Sequence, residues 1–151
     1  MRIVVDSSAL LAILLNEQER DRFIAVLLNS EPIISVATLT ETYLVVQGRR
    51  GAAALDEVDR QIAAYRFEVA PVLPEDQVVL RQAMLDFGKG RRRAPAVLNF
   101  GDLFAYALAR RLGLPLLFKG DDFAPPTCSR WWPEHAHAPA CGPIDRRPKL
   151  R

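Results

Sequence analysis

Short runs of apolar, often β-branched residues alternate along this chain with longer stretches of helical period. Ile3-Val4-Val5 is apolar at every position, as expected of a strand covered on both faces. Asp6-Ser7-Ser8 then offers helix N-cap chemistry ahead of an apolar run over 9–15. A second helix is predicted over 17–28, with Phe23, Val26 and Leu27 inward. Pro32-Ile33-Ile34-Ser35 reads as a second strand, and 36–47 as a helix closed by Gly48, with helix resuming over 51–65. Residues 67–72 read as a third strand, with Pro71 tolerated near its end. Pro74 opens a helix that runs to Phe87 and stops at Gly88. A basic loop covers 89–96. Asp102 then starts a helix that reaches Leu112 and ends at Gly113, with Pro115 beyond. Leu116-Leu117-Phe118 is a fourth strand, followed by the turn Lys119-Gly120-Asp121-Asp122. Strands alternating with helices predict an α/β fold around a short-stranded parallel sheet.

Composition divides the chain. Its 151 residues suit one domain, and an apolar half with a charged quarter suits a folded core. No apolar stretch approaches the ~20 residues that cross a bilayer. Asn16-Glu17-Gln18 stands where a signal peptide would carry small cleavage-site residues, so a cytoplasmic protein with no membrane association is expected. Both cysteines, both histidines, both tryptophans and six of the eleven prolines follow residue 123. We therefore place one domain at 1–123 and an atypical Pro-rich tail at 124–151. The tail carries five basic against two acidic residues, which leaves the domain at −1 within a net charge of +2. Such a domain does not hold nucleic acid by bulk charge and needs local basic patches or metal ions. Having no thiol or imidazole, it also excludes Cys or His nucleophiles and His/Cys metal sites. In the tail, Cys128, His135, His137 and Cys141 match no familiar zinc spacing.

The chemistry left to the domain is that of carboxylates. In open parallel sheets, functional groups collect beyond the carboxyl ends of the strands. Asp6 directly follows the first strand, Asp121 and Asp122 follow the fourth, and Asp102 begins the helix that feeds the fourth. Glu41 lies in the helix after the second strand among Val36, Ala37, Leu39, Leu44 and Val45, which points it inward. Each has a plainer reading. Asp6 and Asp102 are good N-caps, Thr38-Leu39-Thr40-Glu41 fits a capping box, and Asp121-Asp122 fits a solvated turn. Taken together they crowd acids at one sheet edge with no base between them. Crowded carboxylates raise one another's pKa, and a bound cation relieves the repulsion. With only oxygen ligands on offer, Mg²⁺ or Mn²⁺ fits better than Zn²⁺. Such an ion can orient a water and neutralise a phosphate, which suggests phosphodiester hydrolysis.

Four segments carry a resemblance: Ile3-Val4-Val5-Asp6-Ser7-Ser8-Ala9-Leu10, Ser35-Val36-Ala37-Thr38-Leu39-Thr40-Glu41, Leu98-Asn99-Phe100-Gly101-Asp102-Leu103-Phe104-Ala105 and Leu116-Leu117-Phe118-Lys119-Gly120-Asp121-Asp122-Phe123. In order and spacing they resemble the PIN domain and, more closely, the VapC toxins of bacterial type II toxin–antitoxin systems. The resemblance implies a three-layer α/β/α fold and a Mg²⁺-dependent endoribonuclease, with Mn²⁺ a substitute. Asp6 and Asp102 match the principal metal ligands, Glu41 the third acid, and Asp122, or its neighbour Asp121, the fourth. Ser7 matches a hydroxyl residue that follows the first acid, and Asn99 a polar residue near the site. A VapB antitoxin, a homodimer and a tRNA or rRNA substrate are implied as partners. The likeness stops at Phe123.

The basic residues Lys89, Arg91, Arg92 and Arg93, with Arg49 and Arg50, are candidates for phosphate contact beside a site that itself repels RNA. Tyr43, Phe100, Phe104 and Tyr106 lie at helical spacing and read as core rather than as base-stacking platforms. A haloacid-dehalogenase-type phosphatase would need an acid at position 8, which is Ser. A receiver-type domain would need an acceptor Asp after a central strand. The remaining alternative is a PIN-like module that binds RNA or protein without cutting.

Overall fold

The fold was obtained as a computed structural model and is described for residues 1–87, 98–120 and 123. Four parallel strands form one sheet in the order β3-β2-β1-β4: β1 (Arg2–Val5), β2 (Glu31–Ser35), β3 (Glu68–Ala70) and β4 (Leu116–Leu117). α1 (Ser7–Leu14) and α2 (Arg20–Leu28) join β1 to β2. α3 (Val36–Arg50), a 3₁₀ turn at Ala52–Ala54 and α4 (Leu55–Ala64) join β2 to β3. From β3 the chain passes through α5 (Asp76–Phe87) and α6 (Phe100–Leu112) to β4 on the far side of β1.

Side-chain alternation along β1 sorts the helices into layers. Val4, with Ile33 and Leu116, packs under residues of α5 and α6, including Ala83, Leu103 and Ala105. Ile3 and Val5 point the other way, onto Ala9 and Ile13 of α1 and Phe23 and Leu27 of α2. On that second face Ile34 packs with Leu10, Leu39, Val46 and Val58. The result is the expected three layers, α/β/α. Both faces of the sheet are covered, which is why its strands read as unbroken apolar runs. Among the described residues, no helix is long and apolar enough to cross a membrane.

Several boundaries differ from the sequence expectation, each for a local reason. Gly48 does not close α3, which runs through it to Arg50. The stop is Gly51, whose φ of +81° a side chain would resist. α2 begins at Arg20 because Asn16 adopts a left-handed φ of +57° and Glu17 to Glu19 form a turn. α5 starts two residues after Pro74, where the Leu73 N–H donates to the buried Asp76 at 2.8 Å. Asp76 also pairs with Arg111 of α6 at 2.9 Å, fastening the two helices of that layer. β3 shortens to three residues and β4 to two. The proposed stop at Gly88, the basic loop, Asp121, Asp122 and the tail lie outside the described residues.

Candidate active site

The strand order reverses direction at β1, whose neighbours β2 and β4 carry chain arriving from opposite faces of the sheet. The crevice beyond the carboxyl ends of β1 and β4 is the place such a sheet reserves for ligands. Asp6 occupies it. Its backbone N–H donates to Leu117 O at 2.9 Å, extending the β1–β4 pairing by one residue. It is also the N-cap of α1, and its Oδ2 accepts from Ser8 N at 2.9 Å and from Ser8 Oγ at 2.6 Å. Capping and site placement are therefore one arrangement rather than rival readings. Oδ1 is buried with no hydrogen-bond partner among the described residues. Asp6 is 1% exposed, and burial pushes its carboxyl up to about 6. Hydrogen bonds from Ser8 oppose that shift, and the nearby Glu41 charge adds to it.

Glu41 joins the two halves of the site. It lies in the second turn of α3, whose N-cap is Ser35 rather than Thr38, so the capping-box reading at Thr38 does not hold. Glu41 Oε2 accepts from Ser7 Oγ at 2.8 Å, next to Asp6. Its carboxylate also lies over Gly101, next to Asp102, so closely that a Cβ built there would stand 2.0 Å from Oε1. Gly101 is thus where α3 and α6 approach through one carboxylate. An added methyl meets a flexible side-chain end, so it displaces Glu41 while leaving the helix intact. Gly101→Ala is expected to keep its melting temperature within a few degrees by circular dichroism. The RNA cleavage that the resemblance implies should fall about 10- to 100-fold, since small misplacements within a reacting site cost rate steeply.

Asp102 is not the N-cap of α6 as the sequence suggested. Asn99 holds that position, accepting from Gly101 N and Asp102 N at 2.8 and 3.1 Å. Asp102 returns the bond, its Oδ2 accepting from Asn99 N at 2.6 Å, which completes a capping box. It is 5% exposed. An acid at this position also favours the positive end of the helix dipole. Asn99 therefore orients Asp102 through the turn they share.

Glu41, from the second turn of α3, thus touches the neighbours of the other two acids: Ser7 beside Asp6 and Gly101 beside Asp102. Among the described residues, no group of three or more such side chains forms a ready-made metal cage. What fits a cation is narrower. Among the described residues, Asp6 carries a buried carboxylate oxygen without a hydrogen-bond partner, and the charge that acts on it is another carboxylate, Glu41.

The basic candidates divide. Arg49 and Arg50 end α3, about 13 Å along its axis from Glu41. Arg50 donates to Leu14 O at the far end of α1 and, with Arg20, Glu57 and Gln61, lines a cleft of about 290 Å³ there. The structure does not bring these two arginines to the acids. Lys89, Arg91, Arg92 and Arg93 lie outside the described residues. Of the aromatic residues expected in the core, Tyr106 is buried at 7% but Phe100 is 79% exposed. Phe100 is the first residue of α6, and it meets Phe104 edge-on at 5.1 Å. The sequence reading also missed Ser8 and Gly101. An apolar strand running into Asp-Ser-Ser was the only signal for Ser8.

Comparison with known proteins agrees with this architecture. The PIN domain family matches residues 3–125. Ribonuclease VapC30 of Mycobacterium tuberculosis is 39% identical over 122 residues, spanning 80% of this chain and 92% of the relative. Ribonuclease VapC of Mycolicibacterium smegmatis is 37% identical over 123 residues, covering 80% and 93%. Among solved structures, M. tuberculosis VapC20, described as a sarcin-ricin loop cleaving toxin, superposes with a TM-score of 0.70 at 17% identity. It covers 87% of this chain and 99% of its own. VapBC2 of Rickettsia felis, bound to a promoter DNA fragment, gives 0.65 at 15% identity, covering 87% and 98%. The chain belongs to the PIN-domain family and, within it, to the VapC toxin ribonucleases.

Proposed function

We propose that this protein is the toxin of a VapBC pair, acting in the cytoplasm as an endoribonuclease that uses Mg²⁺, or Mn²⁺ in its place. The observation that carries the metal dependence is Asp6 Oδ1, a buried carboxylate oxygen with no hydrogen-bond partner among the described residues. Asp6 and Asp102 would hold the ion, with Glu41 bound directly or through water and Asp122 or Asp121 as a fourth acid. A bound Mg²⁺ supplies an oriented nucleophilic water and neutralises charge on the phosphate. The protein's own part is placement: Ser8 fixes Asp6, Ser7 and Gly101 fix Glu41, and Asn99 fixes Asp102. Lys89, Arg91, Arg92 and Arg93 immediately precede the segment that enters α6, so they are the favoured contacts for RNA phosphates. Arg49 and Arg50 would serve only an RNA long enough to reach the far end of α3. A VapB antitoxin and a second copy of the chain are the expected protein partners. This reading is supported by relatives named ribonucleases and by the VapBC neighbour.

The test is incubation of the purified chain with total cellular RNA, with Mg²⁺ or with EDTA. Cutting that requires Mg²⁺ and maps to discrete positions is expected. RNA binding without cutting in either buffer would replace this reading with that of a non-catalytic module.

A further inference from the structure

An N-cap aspartate needs only the backbone N–H two or three residues on, and Ser8 N supplies it. The Ser8 hydroxyl is therefore surplus to the cap, yet it is the best-connected hydroxyl of the site. It donates to Asp6 Oδ2 at 2.6 Å and accepts from Lys119 N at 3.0 Å, a link across 111 residues of sequence. Lys119 follows β4 as Ser8 follows β1, so the bond joins the two chain exits beyond these strands. The donor is itself fixed, because the Lys119 ammonium is held by Glu17 at 2.7 Å and Glu19 at 2.9 Å. These bonds set the plane of the Asp6 carboxylate and commit Oδ2 to two protein donors. Among the described residues, Oδ1 accepts no hydrogen bond and is left for a ligand.

Resting on the metal-dependent reading above, we propose that Ser8 is a positioning residue that sets the cation preference of the site. It does so by restricting Asp6 to one-oxygen coordination. Mg²⁺ and Mn²⁺ accept a single oxygen from each carboxylate within a compact octahedron. Ca²⁺ is larger and readily takes both oxygens of one carboxylate. With Oδ2 already occupied by Ser8, two-oxygen binding by Asp6 requires both hydrogen bonds to break. Removing the hydroxyl deletes the stronger bond and the tie to Lys119 together. Only the Ser8 N–H then remains on Oδ2, so one hydrogen bond rather than two opposes two-oxygen binding.

The experiment measures Mn²⁺ and Ca²⁺ binding to the full-length chain by calorimetry, with thermal melts in EDTA alongside. Wild type, Ser8→Ala, Ser8→Cys and Ser8→Thr are compared. Cysteine nearly matches serine in shape but donates weakly, which keeps the test open if the alanine variant folds poorly. The wild type is expected to favour Mn²⁺. Ser8→Ala and Ser8→Cys should lose about 10-fold in Mn²⁺ affinity, as when a residue supporting a metal ligand is removed. Their Ca²⁺ affinity should hold or rise, so the preference narrows, and Ser8→Thr should restore it. A purely structural serine would lower the EDTA melting temperature and leave the Mn²⁺/Ca²⁺ ratio unchanged, and that result overturns the proposal alone. A wild-type chain that binds neither ion overturns the proposal together with the metal-dependent reading. RNA cleavage that persists in EDTA would by itself overturn that reading.

Discussion

Asp6→Asn is expected to lower RNA cleavage by about a thousandfold or more while leaving the fold intact. An amide keeps the size of the side chain, and its carbonyl oxygen can still accept from Ser8 N and Ser8 Oγ, so α1 stays capped. What it loses is charge. A neutral oxygen at the position of Oδ1 holds Mg²⁺ poorly, and removing one member of a concerted site commonly abolishes nearly all of its rate. Single-turnover cleavage of a mapped RNA, followed over a range of Mg²⁺ concentrations, checks this. Activity within tenfold of wild type at saturating Mg²⁺ would remove Asp6 from the centre of the mechanism.

The same residue is expected to dominate how metal-free stability depends on pH. Burial lifts its pKa from 3.8 to about 6 in the folded chain, so between those values the folded state binds more protons than the unfolded state. Stability therefore falls as pH rises through that window and levels off above about 6. The total loss is roughly 3 kcal/mol, two units at about 1.4 kcal/mol each. Glu19 and Glu57 are held below the usual carboxylate range by hydrogen bonds, Glu19 with Lys119 and Glu57 with Gln61 and Arg60. They act in the opposite sense, and their contribution cancels when Asp6→Asn is subtracted from wild type. Urea unfolding in EDTA at half-unit steps from pH 4 to pH 8 should show the falling limb in wild type and its loss in the variant. Mg²⁺ added at pH 7.5 should restore stability to the wild type only, because an ion binding the folded state shifts unfolding by mass action. A wild-type curve that rises through the same window would contradict the burial of Asp6.

Much of this was legible in the sequence because it is local. Ile3-Val4-Val5 and Ile33-Ile34 announce strands buried on both faces, and the acids beyond them stand where such sheets bind ligands. The direction of Glu41 could be guessed from its apolar neighbours. What fixes it could not, since Ser7 and Gly101 reach it only after α1, α3 and α6 have packed. Asn99 and Asp102 both suit a cap, and three residues of spacing decide which caps and which answers. Gly48 and Gly51 looked alike as stops, and only the backbone angle at Gly51 separates them. Phe100 was misjudged because helical spacing carries little information at the first residue of a helix, before any face has turned inward. The arginines at 49 and 50 seemed close to Glu41 in sequence, but nine residues of helix carry them to the opposite end of the layer.

The order of the sheet has a consequence for how such a protein is made. β1 is the first strand synthesised, yet its second neighbour, β4, is nearly the last part of the domain to leave the ribosome. Until residues 116–119 emerge, the Asp6 backbone lacks its Leu117 acceptor and Ser8 lacks its Lys119 donor. A nascent chain holding the first three strands already carries Asp6 and Glu41 but lacks the two bonds that tie Asp6 and Ser8 to β4 and the residue after it. The last strand of the sheet to be made is thus the one that completes the hydrogen bonding around the first.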